Sequence, residues 1–155
     1  MKILLYRGRS LISRLIQFQT RSDYSHVALM MDDCSVYEAW HVGGVRHLRS
    51  PFDGHSSGTY IDIFRITDLR DCDVDQVEFF LSKQLGKKYD FASVVRFITR
   101  REAPADDKWF CSELVLAALK RGGVELLRLP PSEASPRDVS ISPLLQYDKT
   151  IDNFD

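Results

Sequence analysis

Trp109-Phe110-Cys111-Ser112-Glu113-Leu114-Val115 sets a thiol between two aromatic residues and the start of an apolar periodicity. Leu114, Val115, Ala118 and Leu119 recur at helical spacing and Gly122-Gly123 then supplies a stop, so a helix opens near Cys111 and ends before the glycines. A thiol in that position meets unpaired backbone N–H groups and the positive end of the helix dipole. Both favour thiolate, the nucleophilic form. The plain alternative is a buried apolar cysteine, a common fate of free Cys. What separates the two readings is whether the rest of the chain offers partners for a nucleophile.

A nucleophilic thiol needs a base, a group that orients the base, and donors for an oxyanion. Upstream, Tyr24-Ser25-His26-Val27-Ala28-Leu29-Met30-Met31 is apolar after His26 and is closed by Asp32-Asp33. Cys34 to Trp40 follow as the antiparallel partner of a hairpin, with Glu38 on the second strand. A turn centred between Asp32 and Asp33 puts Ala39 opposite His26 and turns Glu38 to the other face. A turn centred on Asp32 puts Glu38 directly opposite His26, and the sequence leaves both registers open. In the second, Glu38 accepts from one imidazole nitrogen and leaves the other for Cys111.

The backbone N–H of Cys111 is a candidate oxyanion donor, and Tyr24 and Ser112 are candidate substrate-binding or oxyanion residues. Each has a structural alternative: His26 as a satisfied core histidine, Glu38 facing solvent, Tyr24 as a packing residue. His41, His47 and His55 have no metal-ligand spacing and H-E-x-x-H is absent, so neither a metal nor a cofactor is expected. Cys34 and Cys72 read as structural.

The remaining segments supply a frame of strands and helices. Ile3 to Tyr6 reads as a strand, and Ser10 as the N-cap of a short amphipathic helix through Leu11, Ile12, Leu15 and Ile16. Val42 to Leu48 forms a short strand around Gly43-Gly44, residues 50–58 an exposed loop, and Thr59 to Ile66 another strand. In that strand Tyr60, Asp62, Phe64 and Ile66 share one face and Ile61, Ile63 and Arg65 the other. Asp73 and Gln76 cap a helix that Gly86 ends, and Asp90 caps a second over Phe91 to Ile98. A polar connector, Glu102 to Lys108, leads to the Cys111 helix. Leu126 to Pro143 is expected to be mostly irregular, and residues 148–155 to fray.

The 155 residues suit a single domain, 1–155, and 44% hydrophobic with 28% charged residues excludes disorder and fibrous repeats. A net charge of −1 argues against nucleic acid as a partner. The groups Arg7, Arg9, Arg14, Arg21 and Arg96, Arg100, Arg101 read as solvated helix faces. Three cysteines without C-x-x-C spacing form neither a disulfide framework nor a zinc ribbon and fit a reducing compartment. The apolar run before Arg7 is too short for a signal-peptide core and no stretch is long enough to cross a bilayer. The expectation is a cytoplasmic protein without stable membrane insertion, although export by a non-Sec route would leave the same sequence.

Ser10-Leu11-Ile12-Ser13, Tyr24-Ser25-His26-Val27, Tyr37-Glu38-Ala39 followed by Gly44-Val45, Gly86-Lys87-Lys88-Tyr89-Asp90, Phe110-Cys111-Ser112-Glu113-Leu114-Val115 and Ser135-Pro136-Arg137-Asp138 together resemble the permuted papain-like amidases. This is the YiiX-like branch of the NlpC-type cysteine hydrolases, and the resemblance runs from about Leu4 to Leu145. The order His26, Glu38, Cys111 is a circular permutation of the papain-like order, in which the cysteine usually comes first. The resemblance implies an α+β fold with a small antiparallel, barrel-like sheet packed on helices, with Cys111 as nucleophile, His26 as base and Glu38 as orienting residue. It implies hydrolysis of an amide in a peptide or cell-wall-like substrate, and an ester or thioester in some relatives.

Two other functions are carried from the sequence. A lipid acyltransferase or phospholipase would use the same Cys–His pair and would bind liposomes through the helix from Leu11 to Ile16 and its arginines. A non-catalytic binding module would keep the cleft without the chemistry. The charged segment from Thr99 to Lys108 is expected to form a distinctive wall next to Cys111.

Overall fold

The computed structural model describes residues 1–91 and 107–153. The helix expected after Phe91, the cluster Arg96, Arg100, Arg101 and the connector up to residue 106 lie outside the described residues.

The chain opens with β1 (Lys2–Arg7), whose central residues are all buried because the strand lies inside a sheet and is covered on both faces. Ser10 caps α1 (Leu11–Thr20) by accepting the Ser13 amide at 3.1 Å, and Arg21 ends the helix in the left-handed conformation, its N–H on the Gln17 carbonyl. Three strands follow: β2 (His26–Met30), β3 (Val36–Trp40) and β4 (Gly44–Leu48). β5 (Tyr60–Ile66) and α2 (Val74–Gln84) come next, the helix capped by Asp73 on the Gln76 amide. Two short segments, β6 (Lys88–Tyr89) and β7 (Lys108–Trp109), pair in parallel and deliver the chain to α3 (Cys111–Arg121). A 3-10 turn (Pro131–Glu133), α4 (Pro136–Ser140) and β8 (Leu145–Asp152) complete the described chain.

The six longer strands form one antiparallel sheet in the order β4-β3-β2-β1-β5-β8. Strand alternation divides the apolar residues between its faces. Ile3, Leu5, Val27, Leu29, Tyr37, Ala39 and Val45 meet α3 through Leu114, Val115 and Ala118. Leu4, Tyr6, Ala28, Met30, Val36, Ile61 and Ile63 form a second cluster on the other face, with Leu48, Phe52 and Ile151 packed against it. Each fully buried leucine or valine of this kind contributes about 1.5–3 kcal/mol, so the helix face holds most of the apolar stabilisation. The face division expected for β5 is the one observed.

One expectation for the C-terminal part is corrected. Residues 126–143 are mostly irregular, as expected, around the short 3-10 turn and α4, where Ser135 and Asp138 exchange capping hydrogen bonds around Pro136. Residues 148–152 do not fray: they belong to β8, which pairs with β5 from Leu145 to Asp152 and is tied to β1 by the Lys2–Asp148 ion pair at 2.9 Å. Edge pairing leaves the outer side of β8 to solvent, which accounts for a polar sequence in a regular strand.

Gly44 is required by a close approach. Its φ is +73°, and a Cβ there would meet the Lys87 carbonyl oxygen at 2.0 Å. Through that contact Val45 donates to Lys87 and accepts from Gly86, locking β4 to the start of β6.

Candidate active site

The β2–β3 hairpin pairs Leu29 with Tyr37 and Met30 with Val36. Continued toward the open end, this register sets Ala28 opposite Glu38 and Trp40 opposite His26, and the His26 and Trp40 ring centroids are 5.0 Å apart. Neither register expected for this hairpin occurs. The turn is centred on Asp33, where Cys34 takes a positive φ of 69°. His26 and Glu38 therefore lie on the same face as diagonal neighbours, within reach of a long side chain.

Glu38 is fully buried and His26 nearly so, and the imidazole Nε2 lies 2.5 Å from Glu38 Oε2. Arg46 stands directly across from Glu38 on β4, and its Nε donates to Oε1 at 2.7 Å. His55, from the 50–58 loop, brings its own Nε2 to Glu38 Oε2 at 3.2 Å. Tyr6 stacks on His55 at 4.3 Å and meets the His26 ring edge-on at 5.0 Å, while its hydroxyl donates to the Pro51 carbonyl and ties down the loop. Trp40 closes the other side, 4.4 Å from His55 and under the Arg46 guanidinium. The result is a buried carboxylate whose two oxygens are both engaged, enclosed by aromatic rings.

Burial opposes ionisation of Glu38, but the His26 charge and hydrogen bond, followed by those of His55, hold its carboxyl well below the ordinary range. Burial lowers His26 from the ordinary value of 6.5, and Glu38 opposes that shift without reversing it. At neutral pH the ring is uncharged, with Nε2–H donated to the carboxylate and Nδ1 left as the basic nitrogen.

Cys111 is the first residue of α3 and is 0% exposed. Its side chain packs in the cluster that holds Val27. Backbone hydrogen bonds from Val27 and Ser112 lower its pKa, yet burial outweighs them and pushes the thiol up to about 12. The N–H groups at the helix start favour thiolate as expected, but burial is the larger effect and leaves the group a thiol. The N–H that Val27 gives to the thiol belongs to the peptide joining it to His26, and among the described residues no hydrogen bond joins Sγ to the ring.

Ser112 and Tyr24 are engaged elsewhere. The Ser112 hydroxyl donates to the Ala134 carbonyl at 2.5 Å, fastening α3 to the turn that precedes α4. The Tyr24 hydroxyl donates to Asp62 Oδ2 at 2.9 Å, and Asp62 also accepts from Arg7 and Thr150. Tyr24 thereby lines a cavity between α1 and β5 instead of the His26 cluster.

Arg46 and His55 are the site residues that sequence reasoning missed. Arg46 had a usable signal: a turn centred on Val42 and ending at Gly43 pairs position 46 with position 38, and a buried acid calls for a cation across the strand. His55 had none, because a loop of turn formers carries no register. Its Nε2, with His26 Nε2 and a Glu38 oxygen, forms a set of ligand atoms all within 4.8 Å of one another, a donor set that suits a borderline cation such as zinc.

No family model and no curated protein matches the chain. Its fold is similar to that of a protein described as the metalloprotein YiiX from Escherichia coli O157:H7, solved by crystallography, with a TM-score of 0.69 and 22% identity over 99% of this chain and 97% of that one. The chain therefore has the mixed α+β, antiparallel-sheet fold of YiiX.

Proposed function

We propose that this protein is a cysteine hydrolase of the permuted papain-like type, acting on an amide, ester or thioester through an acyl-enzyme on Cys111. The observation that carries the reading is the buried Glu38–His26 pair at 2.5 Å, which orients an uncharged imidazole one peptide away from a thiol at a helix start. With the thiol and the ring both neutral, the reaction is general-base catalysis and not attack by a standing ion pair. As Sγ bonds to the substrate carbonyl carbon, its proton passes to His26 Nδ1. The carbonyl oxygen takes the negative charge, with the Cys111 backbone N–H as donor. Collapse expels the leaving group, which takes the proton from His26. Water then attacks the thioester, giving a proton back to His26, and the carboxylic acid leaves as the thiol is restored. Glu38 fixes the ring tautomer, and Arg46 fixes Glu38.

Replacing Cys111 by Ala removes the nucleophile and little else. Turnover of a panel of amide, ester and thioester substrates is expected to fall by roughly a thousandfold or more, with an unchanged circular dichroism spectrum. Full activity in the Cys111→Ala protein would refute the reading.

A second reading is favoured by one specific observation: the convergence of His26, His55 and Glu38, in a chain similar in fold to a protein described as a metalloprotein. These three residues would hold a divalent cation, which would supply Lewis-acid activation of water or a carbonyl. To do so they would give up the hydrogen bonds that now join them, while Arg46 keeps the other oxygen of Glu38. Zinc titration by calorimetry separates the readings: a metal centre binds zinc tightly in wild type and loses it in His55→Ala, whereas the hydrolase needs Cys111 and no metal.

A further inference from the structure

Helix α1 carries two apolar faces where a surface helix needs one. Ile16 is buried and Ile12 packs against the core, which completes the inward face. Leu11, Leu15 and Phe18, at spacing i, i+4, i+7, form a second stripe on the outside, with Leu11 84%, Leu15 46% and Phe18 83% exposed. Three large apolar side chains in a row on a ten-residue helix are a patch, not scattered surface residues.

The charges carried by the helix and its two flanks have one sign. Arg9, Arg14 and Arg21 are exposed, and the chain from Lys2 to Ser22 contains no Asp or Glu. Arg14 falls next to Leu11 and Phe18 on the helix surface by its three- and four-residue spacing. One edge of the stripe, Leu15 and Phe18, borders the cavity of about 1040 Å³ that Arg7, Arg21 and Tyr24 also line. The acids of that cavity are Asp23 and Asp62, and Asp62 is already engaged by Arg7, Tyr24 and Thr150. Arg7 Nε is buried and lacks a hydrogen-bond partner. A cationic border around an exposed apolar strip complements a surface that is anionic outside and apolar beneath.

We infer that α1 docks the protein on an anionic lipid bilayer. Leu11, Leu15 and Phe18 enter the boundary between headgroups and acyl chains, and Arg9, Arg14 and Arg21 lie among the lipid phosphates. The helix lies in the plane of the surface, since no described helix is long and apolar enough to cross a membrane. This inference does not rest on the hydrolase reading, because the docking residues are distinct from His26, Glu38 and Cys111.

The test is co-sedimentation of the full chain with vesicles of phosphatidylcholine alone and of equal parts phosphatidylcholine and phosphatidylglycerol. Wild type is expected to partition at least about fivefold more strongly onto the anionic vesicles, and to be released by added salt. The double variant Leu11→Ser, Phe18→Ser is expected to lose about tenfold or more of that partitioning. Arg14→Gln with Arg21→Gln should lower binding to the anionic vesicles alone. All four residues are exposed, and thermal melts confirm that the variants fold. Wild type remaining in the supernatant with both vesicles, or undiminished binding by the serine variant, overturns the inference. So does a dimer in light scattering that the serine variant dissociates, which would give the stripe to a second copy of the chain.

Discussion

His26 and Cys111 meet at one peptide, the one whose Val27 N–H reaches the thiol, and burial treats them differently. His26 enters a polar cluster in which Glu38, Arg46 and His55 share their hydrogen bonds, so a buried charge there has partners. Cys111 enters an apolar cluster where the backbone N–H groups of Val27 and Ser112 favour its thiolate. Desolvation disfavours the charged form of both, lowering the imidazole and raising the thiol. The fixed charge of the site sits on Glu38 and Arg46 instead. At Cys111 full burial outweighs the helix start, whose dipole is worth under about 1 kcal/mol.

The sharpest way to break this comparison is kinetic. If thiol and imidazole act as one unit across that peptide, His26→Ala and Cys111→Ala each reduce kcat by about a thousandfold or more, and the double variant is scarcely worse than either. Additive losses would mean that the two residues work independently.

Thiol labelling probes the Cys111 side. A thiol raised to about 12 and wholly buried has a thiolate population at neutral pH roughly three powers of ten below that of an ordinary free thiol. Mass spectrometry after brief alkylation of the native protein is expected to find the exposed Cys34 modified and Cys111 intact, with Cys111 reacting once the chain is unfolded. Fast native modification of Cys111 would reverse the assignment of its resting state.

The His26 side is probed by stability. Glu38→Ala leaves Arg46 and two imidazoles without their shared acceptor, and is expected to destabilise the fold by about 3–5 kcal/mol in denaturant titrations. Glu38→Gln keeps an acceptor oxygen and should lose less. A near-neutral Glu38→Ala would show that solvent replaces the carboxylate and that the cluster is not closed.

The pH dependence follows in size. His26 is lowered in the folded state, so its contribution is fully present above the ordinary value of 6.5 and is lost as pH falls through and below it. Glu38 is also lowered, so its contribution is full above the ordinary 4.5 and is lost as pH falls further. Melting temperature should therefore decline in two steps on acidification, and Glu38→Gln should remove the lower one. A melting temperature that is flat across both ranges would contradict these shifts.

Much of this was legible in the chain. Periodicity and caps located α1, α2 and α3, because Ser10 and Asp73 bond to amides three residues away and such local bonds need nothing distant. Apolar runs located β1 and β2, the hairpin partner after Asp32-Asp33 located β3, and alternation located β5. The strand β8 was not legible: its polar residues carry no buried face, and only pairing with β5 makes them a strand.

At the site, His26, Glu38 and Cys111 could be named from residue type, order and resemblance. Whether Glu38 faces His26 could not be, since a one-residue shift of the turn inverts every side chain and a run of two aspartates and a cysteine does not say where the centre lies. The sequence by itself determined which elements form and which residues are chemically able. The tertiary structure decided what is close to what: the Asp33-centred register that joins His26 to Glu38, the strand crossing that brings Arg46 to the same carboxylate, and the loop that returns His55 to it. Local hydrogen bonds and periodicity are written within a few residues, whereas burial and the electrostatics that follow from it depend on segments far apart in the chain.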